Sequence, residues 1–352
     1  MARTSWLRRP DHGAAALSLA ARYALFIAAT FAALLVCACL GSVRISPAEA
    51  LSILWKAALR LPIPDTAAKP IILTVRLPRV LCVALTGASL SLCGAAMQGL
   101  LRNPLADGST MGVSAGASLG AVIAIAFGAS IPGLRIAGSM GMAMVFAFVS
   151  LTLILSLAYR LDHTLSTNTI LLIGVIFSMF ANSIISLITA FAGERIKSIL
   201  FWTMGSLSGS NYTNVKALLT ALIICGAVIL RCARELNAFA IGEDNARGVG
   251  VNVKRVKLTL LISVSALIGV CVSIGGTIGF VGLVIPHIMR MITGPNHSRL
   301  LPASLFGGAV FLMLTDLLSR ILLRPLELPI GVLTSLIGSV VFVYIFYKTR
   351  RK

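Results

Sequence analysis

Charge is scarce in this chain, and negative charge scarcer: 12% of its 352 residues are charged, 11 acidic against 30 basic, while 58% are hydrophobic. With a mean hydropathy of +0.97, that balance excludes an ordinary water-soluble core-and-surface domain. No Gly-x-x-x-x-Gly-Lys-Ser/Thr run occurs, so nothing here is built to cradle a triphosphate. There is no His-Glu-x-x-His and no comparable nucleophile or metal cluster, which argues against an intramembrane enzyme. The seven cysteines, Cys37, Cys39, Cys82, Cys93, Cys225, Cys232 and Cys271, sit in or beside apolar runs without zinc or redox spacing, and read as small core hydrophobes. A fixed-period repeat and low-complexity tracts are also missing.

What the chain does have is apolar length. A helical span needs roughly 20 apolar residues to cross hydrocarbon, so the chain has room for about ten, and backbone satisfaction in lipid makes them helices. The expected fold is an all-α polytopic membrane domain over 1–352. Helices are placed at 20–41, 79–101, 110–128, 136–159, 169–192, 213–231, 257–274, 278–293, 302–319 and 329–347. The net charge of +19 reports topology rather than nucleic acid. Arg3, Arg8 and Arg9 precede the first span, Arg22 stands in its first turn, and Lys348, Arg350, Arg351 and Lys352 follow the last. Both ends, including a tail over 1–19, are therefore expected in the cytoplasm, which an even number of spans allows.

Between the spans, 42–78 is the one long external connection, with an amphipathic piece near Pro47–Leu61 expected to form a surface helix. Residues 193–212 suit a half-helix returning into the membrane, and Gly275–Gly282 reads as irregular backbone, tolerated only where protein or water covers it. Gly112, Gly116 and Gly120 fall four apart on one face, a close-packing signal within the subunit.

A compact charged stretch, Gly242 to Lys257, stands between long apolar blocks in the region 232–256. Glu243 and Asp244 suit a helix N-terminus, Ala246 and Val249 fall three apart, and Gly248 and Gly250 offer a stop. A two-turn helix fits, after which Asn252 caps the next helix and Lys254, Arg255 and Lys257 hold its start at the membrane surface.

Several motifs in order resemble one family: Arg76-Leu-Pro-Arg79, Asn103-Pro-Leu-Ala-Asp107, Gly242-Glu-x-x-Ala246-x-x-x-Gly250, Gly279-Phe-Val-Gly-Leu-Val-Ile-Pro-His287-Ile-Met-Arg290, Asp316 with Arg320, and Glu327-Leu-Pro-Ile-Gly331. They are similar to the permease subunits of ABC importers for ferric siderophores, haem and cobalamin. The resemblance runs from about residue 40 to the C-terminus. It departs at Val249-Gly250, where the family usually has Leu-Gly.

The resemblance implies a homodimer, or a pair with a paralogous permease, in the bacterial cell membrane. Two cytoplasmic ATPase subunits would bind ATP-Mg, an extracytoplasmic binding protein would deliver the cargo, and this chain would need no cofactor and no nucleic acid. The charged stretch becomes the coupling helix, with Glu243, Asp244, Ala246, Arg247, Val249 and Gly250 against the ATPase. Reversing a two-state gate from 1:99 to 99:1 takes roughly 5.5 kcal/mol of differential binding, within the scale of nucleotide binding and hydrolysis. Arg76, Arg79 and Arg320 would face the binding protein as exposed charges; Arg324 lies close by without a matching role. Asn103, Leu105, Ser166 and Thr167 would form the cytoplasmic gate, although Asn-Pro and Ser-Thr-Asn are also plain turn and cap residues. Ser178, Asn182 and Ser186 would line the pathway with a mildly polar wall.

Two residues invite other readings. His287 is a lone histidine behind Pro286 with no second ligand at metal spacing, which favours a hydrogen-bonded structural role. Asp316 is an intramembrane carboxylate with Arg320 at i+4, which suits a helix-end ion pair. A proton-coupled secondary transporter is the alternative class, with Asp316 as carrier, but it calls for inverted repeats and several buried carboxylates. The expected cargo is an iron chelate; cobalamin and haem stay open.

Overall fold

The structure, a computed structural model, describes residues 19–43, 45–128, 138–163 and 166–350. The clusters at Arg3, Arg8, Arg9 and at Arg351, Lys352 fall outside these residues, as do the tail before Leu19 and the expected start of the fourth span at 136–137. Fourteen helices run in order among the described residues: α1 (Leu19–Cys39), α2 (Pro47–Ala58), α3 (Ala68–Leu100), α4 (Val113–Phe127), α5 (Gly138–Leu161), α6 (Thr167–Phe191), α7 (Ile196–Thr203), α8 (Tyr212–Arg231), α9 (Ala233–Ala240), α10 (Glu243–Gly248), α11 (Val253–Gly275), α12 (Val281–Thr293), α13 (His297–Ile321) and α14 (Ile330–Arg350). Seven are long and apolar enough to cross a membrane: α1, α3, α5, α6, α8, α11 and α13. Shorter apolar helices occupy Val113–Phe127, Val281–Thr293 and Ile330–Ile345. Each of the ten expected spans thus finds a helix, and among the described residues the fold is all-α.

The bundle is built around α3, α11 and α13, whose apolar windows are mostly buried, while α1, α6 and α8 stand at the periphery. Glycine decides the closest approaches. A β-carbon on Gly94 of α3 would overlap the Gly282 carbonyl of α12, and one on Gly87 would overlap the Gly308 carbonyl of α13. The Gly116–Gly120 face seats α4 on Ser150, Phe146 and Met142 of α5, the close packing inside the subunit that the small residues predicted.

Proline explains where the boundaries differ. The second span begins at Ala68, not at 79, running through Pro70 and Pro78. Residues Ile71–Arg76 form a wide π turn, in which Leu77 donates to the Ile72 carbonyl, and this looser winding receives Pro78 without a break. The connection expected outside is correspondingly shorter than 42–78, and α2 lies in it where a surface helix was expected. Pro302 likewise sits inside α13, which starts at His297. The short α7 occupies the expected half-helix region. Gly276 and Phe280 take left-handed backbone conformations with irregular chain between α11 and α12.

Pro286 shows how a freed carbonyl is satisfied. It cannot donate to the Gly282 carbonyl one turn back. The buried Gln98 of α3 instead sends Nε2 to the Gly282 carbonyl (3.4 Å) and the Leu283 carbonyl (3.1 Å). Its Oε1 accepts from Arg290 Nη2 at 3.0 Å.

Candidate functional site

At one end of the bundle α9 and α10 fold against the membrane helices. Sequence reading placed no helix over 232–241 within the coupling-helix region 232–256, yet Ala233, Leu236 and Phe239 fall three apart and are all buried, so α9 is an amphipathic shelf. Gly242, at φ 123°, turns the chain into α10, and Gly250, at φ 87°, follows its end. Asn252 caps α11 as expected, its Oδ1 accepting from the Arg255 amide at 3.0 Å.

The face that α10 offers differs from the expected one. Ala246 is completely buried, so it packs α10 against the shelf and does not stand on the outward face where it was expected. Glu243 also turns inward: its Oε1 lies 2.7 Å from Lys257 Nζ. Lys257, expected at the membrane surface, is 1% exposed. A buried lysine without a counter-charge costs several kcal/mol, and Glu243 supplies one to Lys257 on the inner face of α11 alongside Val253, Leu260 and Leu261. The 3- and 4-residue spacing of those positions was the signal that places Lys257 inside. What remains outward is Asp244, Arg247, Val249 and Gly250, joined by Ile241, with Ile241 73% and Val249 74% exposed.

The expected gate turns lie near this shelf. A cleft of about 590 Å³ is lined by Arg102, Ser166, Thr167, Asn168 and residues of Gly242–Arg247. Ser166 caps α6, its hydroxyl accepting from the Thr169 amide at 3.4 Å. Thr167 Oγ1 stands 3.5 Å from Glu243 Oε1 across the cleft. Asn103 closes its own turn, Oδ1 accepting from the Leu105 amide at 2.9 Å, and Leu105 is exposed. Asn103 borders a second, smaller hollow with Arg290 and His297.

On α6, Ser178 and Ser186 bond carbonyls of their own helix, at Gly174 (2.8 Å) and Asn182 (2.9 Å). Asn182 and Ser186 are exposed, on a helix that also exposes Leu172, Met179, Phe180 and Leu187.

At the opposite end of the bundle the three expected docking arginines are buried, correcting the picture of exposed charges. Arg79 reaches Asp316 Oδ1 through Nε (3.1 Å) and Nη2 (2.9 Å), and Glu327 Oε2 through Nη1 (2.7 Å). Arg320 Nε lies 2.9 Å from Asp316 Oδ2 as an ion pair, with its N–H directed at the Asp316 carbonyl (3.3 Å). The i+4 pair predicted from sequence is present, enlarged by Arg79 and Glu327. Carbonyls at the end of α1 and just past it explain the other donors. Arg320 donates to Leu40 (3.0 Å) and Cys37 (3.2 Å), while Arg76 donates to Cys39 (2.7 Å) and Val43. Cations over orphan carbonyls at a helix C-terminus satisfy both hydrogen bonding and the helix dipole. Arg324, outside this network, is exposed.

His287 Nδ1 is buried without a hydrogen-bond partner among the described residues. Among the described residues no group of three or more His, Cys, Asp or Glu could hold a metal ion.

The bundle and its appended shelf match proteins already grouped together. A family model described as the FecCD transport family matches residues 27–348. The uncharacterized ABC transporter permease protein YvrB of Bacillus subtilis (strain 168) is 43% identical over 281 residues, 80% of each chain. The cobalamin import system permease protein BtuC of Halobacterium salinarum is 39% identical over 299 residues, 85% of this chain and 79% of that one. A solved structure described as an inward-facing conformation of a metal-chelate type ABC transporter superposes with a TM-score of 0.80 at 30% identity, covering 92% of this chain and 97% of that chain. With the family model spanning nearly all of the described bundle, and α10 and the buried arginine network inside it, the chain belongs to the FecCD transport family.

Proposed function

We propose that this chain is the membrane-spanning permease subunit of an ATP-driven importer that carries an iron chelate, a ferric siderophore or a related compound. A binding protein outside the membrane delivers it, and separate cytoplasmic ATPase subunits hydrolyse ATP-Mg. The observation that carries this reading is α10: a six-residue helix pinned to the bundle by Ala246 and Glu243 and presenting Ile241, Val249, Asp244 and Arg247 outward. Apolar side chains exposed at a rigid, polar-rimmed platform suit a protein partner.

On this reading the α10 end and both termini lie in the cytoplasm of a bacterial inner membrane. Two such chains pair, with Ser178, Asn182 and Ser186 of α6 facing the pathway and the turns at Asn103–Leu105 and Ser166–Thr167 closing it. Arg76, Arg79 and Arg320 brace the outer end from beneath, and exposed Arg324 is the positive charge offered to an acidic binding protein. Electrostatic matching there would govern encounter rate and orientation more than affinity.

Likeness to the Halobacterium salinarum permease keeps cobalamin as the alternative cargo. The proton-coupled reading loses support because Asp316 is held between two arginines, an arrangement that fixes charge rather than carrying it. Proteoliposomes holding the chain, its genomically adjacent ATPase and binding protein separate the classes, using ferric hydroxamate and cyanocobalamin as probes. Uptake that requires ATP supports the proposal. Uptake driven by a pH gradient without ATP contradicts it.

A further inference from the structure

The two contacts of Glu243 are unequal, and the inequality divides the α10 end into a fixed and a movable part. Toward α11, Glu243 meets Lys257 Nζ at 2.7 Å, in a site where Lys257 is 1% exposed. Lengthening so short an ion pair at a buried lysine is costly, so this contact is the fixed one of the two. Toward α6, Thr167 Oγ1 stands at 3.5 Å, the outer limit of a hydrogen bond, beside a cleft of about 590 Å³. The second contact is therefore inexpensive to make or release.

We infer that Glu243 is a positioning residue that welds α10 to α11 through Lys257 and engages or releases the α6 turn at Thr167 as the cleft closes or opens. This rests on the reading of α10 as the ATPase platform and names the route by which its motion reaches α6. Force applied at Val249 or Ile241 moves α10 and α11 together, and α11 packs along α8, α5 and α3. Helix α6 begins at Thr167, so tightening of one hydroxyl-carboxylate bond acts directly on its first turn.

Spin-label distances in the lipid-reconstituted permease–ATPase complex test this without knowledge of the cargo. One pair joins Asn168, exposed on the first turn of α6, to Gly248, where a side chain meets open space. The other joins Gly248 to exposed Arg255 of α11. On adding ATP with vanadate the first distance is expected to shift and the second to stay. Thr167→Val should abolish the shift in the first pair and Thr167→Ser should restore it. Glu243→Gln with Lys257→Met, which removes both charges of the pair, should broaden the second distance in a chain whose melting temperature shows that it remains folded. A first distance fixed under nucleotide, a second that moves as far as the first, or a Thr167→Val shift equal to wild type would each overturn the inference. ATPase copurification with every labelled variant is the control that keeps such a failure separate from failure of the platform itself.

Discussion

Asp316 is the residue on which the arginine end of the bundle depends. It compensates Arg79 and Arg320, both buried, and removing one member of a buried ionic group leaves the others uncompensated. Asp316→Ala should cost about 3–5 kcal/mol, read as a large drop in melting temperature in detergent. Asp65→Ala, at the exposed pair with Lys69, should leave that temperature unchanged. Gln98→Leu removes the donors that serve the Gly282 and Leu283 carbonyls and should destabilise by about 1–3 kcal/mol, again by thermal melting. The sequence made Asp316 and its i+4 arginine legible, because helix geometry alone brings them together. It did not reveal that Arg79 joins them from 237 positions away, nor that Lys257 turns inward to meet Glu243. A charge at the end of an apolar run looks the same whether it reaches for headgroups or for a partner contributed by a distant helix.

At the scale of elements, ten apolar runs were readable because lipid demands both length and helical closure. Boundaries failed at Pro78 and Pro302, where proline ordinarily marks a helix start but here lies within one. The π turn before Pro78 and the Gln98 bonds near Pro286 are tertiary solutions that local propensity cannot show. The shelf helix α9 was missed although Ala233, Leu236 and Phe239 carried its period, since eight residues are short against the spans on either side. Helix contact makes a sharp prediction about glycine. Gly94→Val should drive α3 from α12 and abolish monodisperse protein by size-exclusion chromatography, whereas Gly248→Ala, with open space around it, should elute as wild type.

For the whole molecule, the account requires the α10 end and the arginine end to lie on opposite faces of the membrane. Asp65→Cys should react with an impermeant thiol reagent in intact spheroplasts, and Asn168→Cys only after permeabilisation, above the background of the native cysteines. Reaction of both from outside would contradict the topology. The family was legible from six short motifs in register, yet two of the residues expected on its ATPase-facing surface, Glu243 and Ala246, serve instead to hold that surface in place. The central claim is that Ile241 and Val249, on a platform so held, form the docking point for a separate ATPase. The most direct measurement is copurification and ATP hydrolysis of the adjacent ATPase in lipid with wild type and with Ile241→Arg plus Val249→Arg. Loss of the ATPase from a variant that melts at the wild-type temperature is the predicted result. Full assembly with unchanged, binding-protein-stimulated hydrolysis would contradict the account.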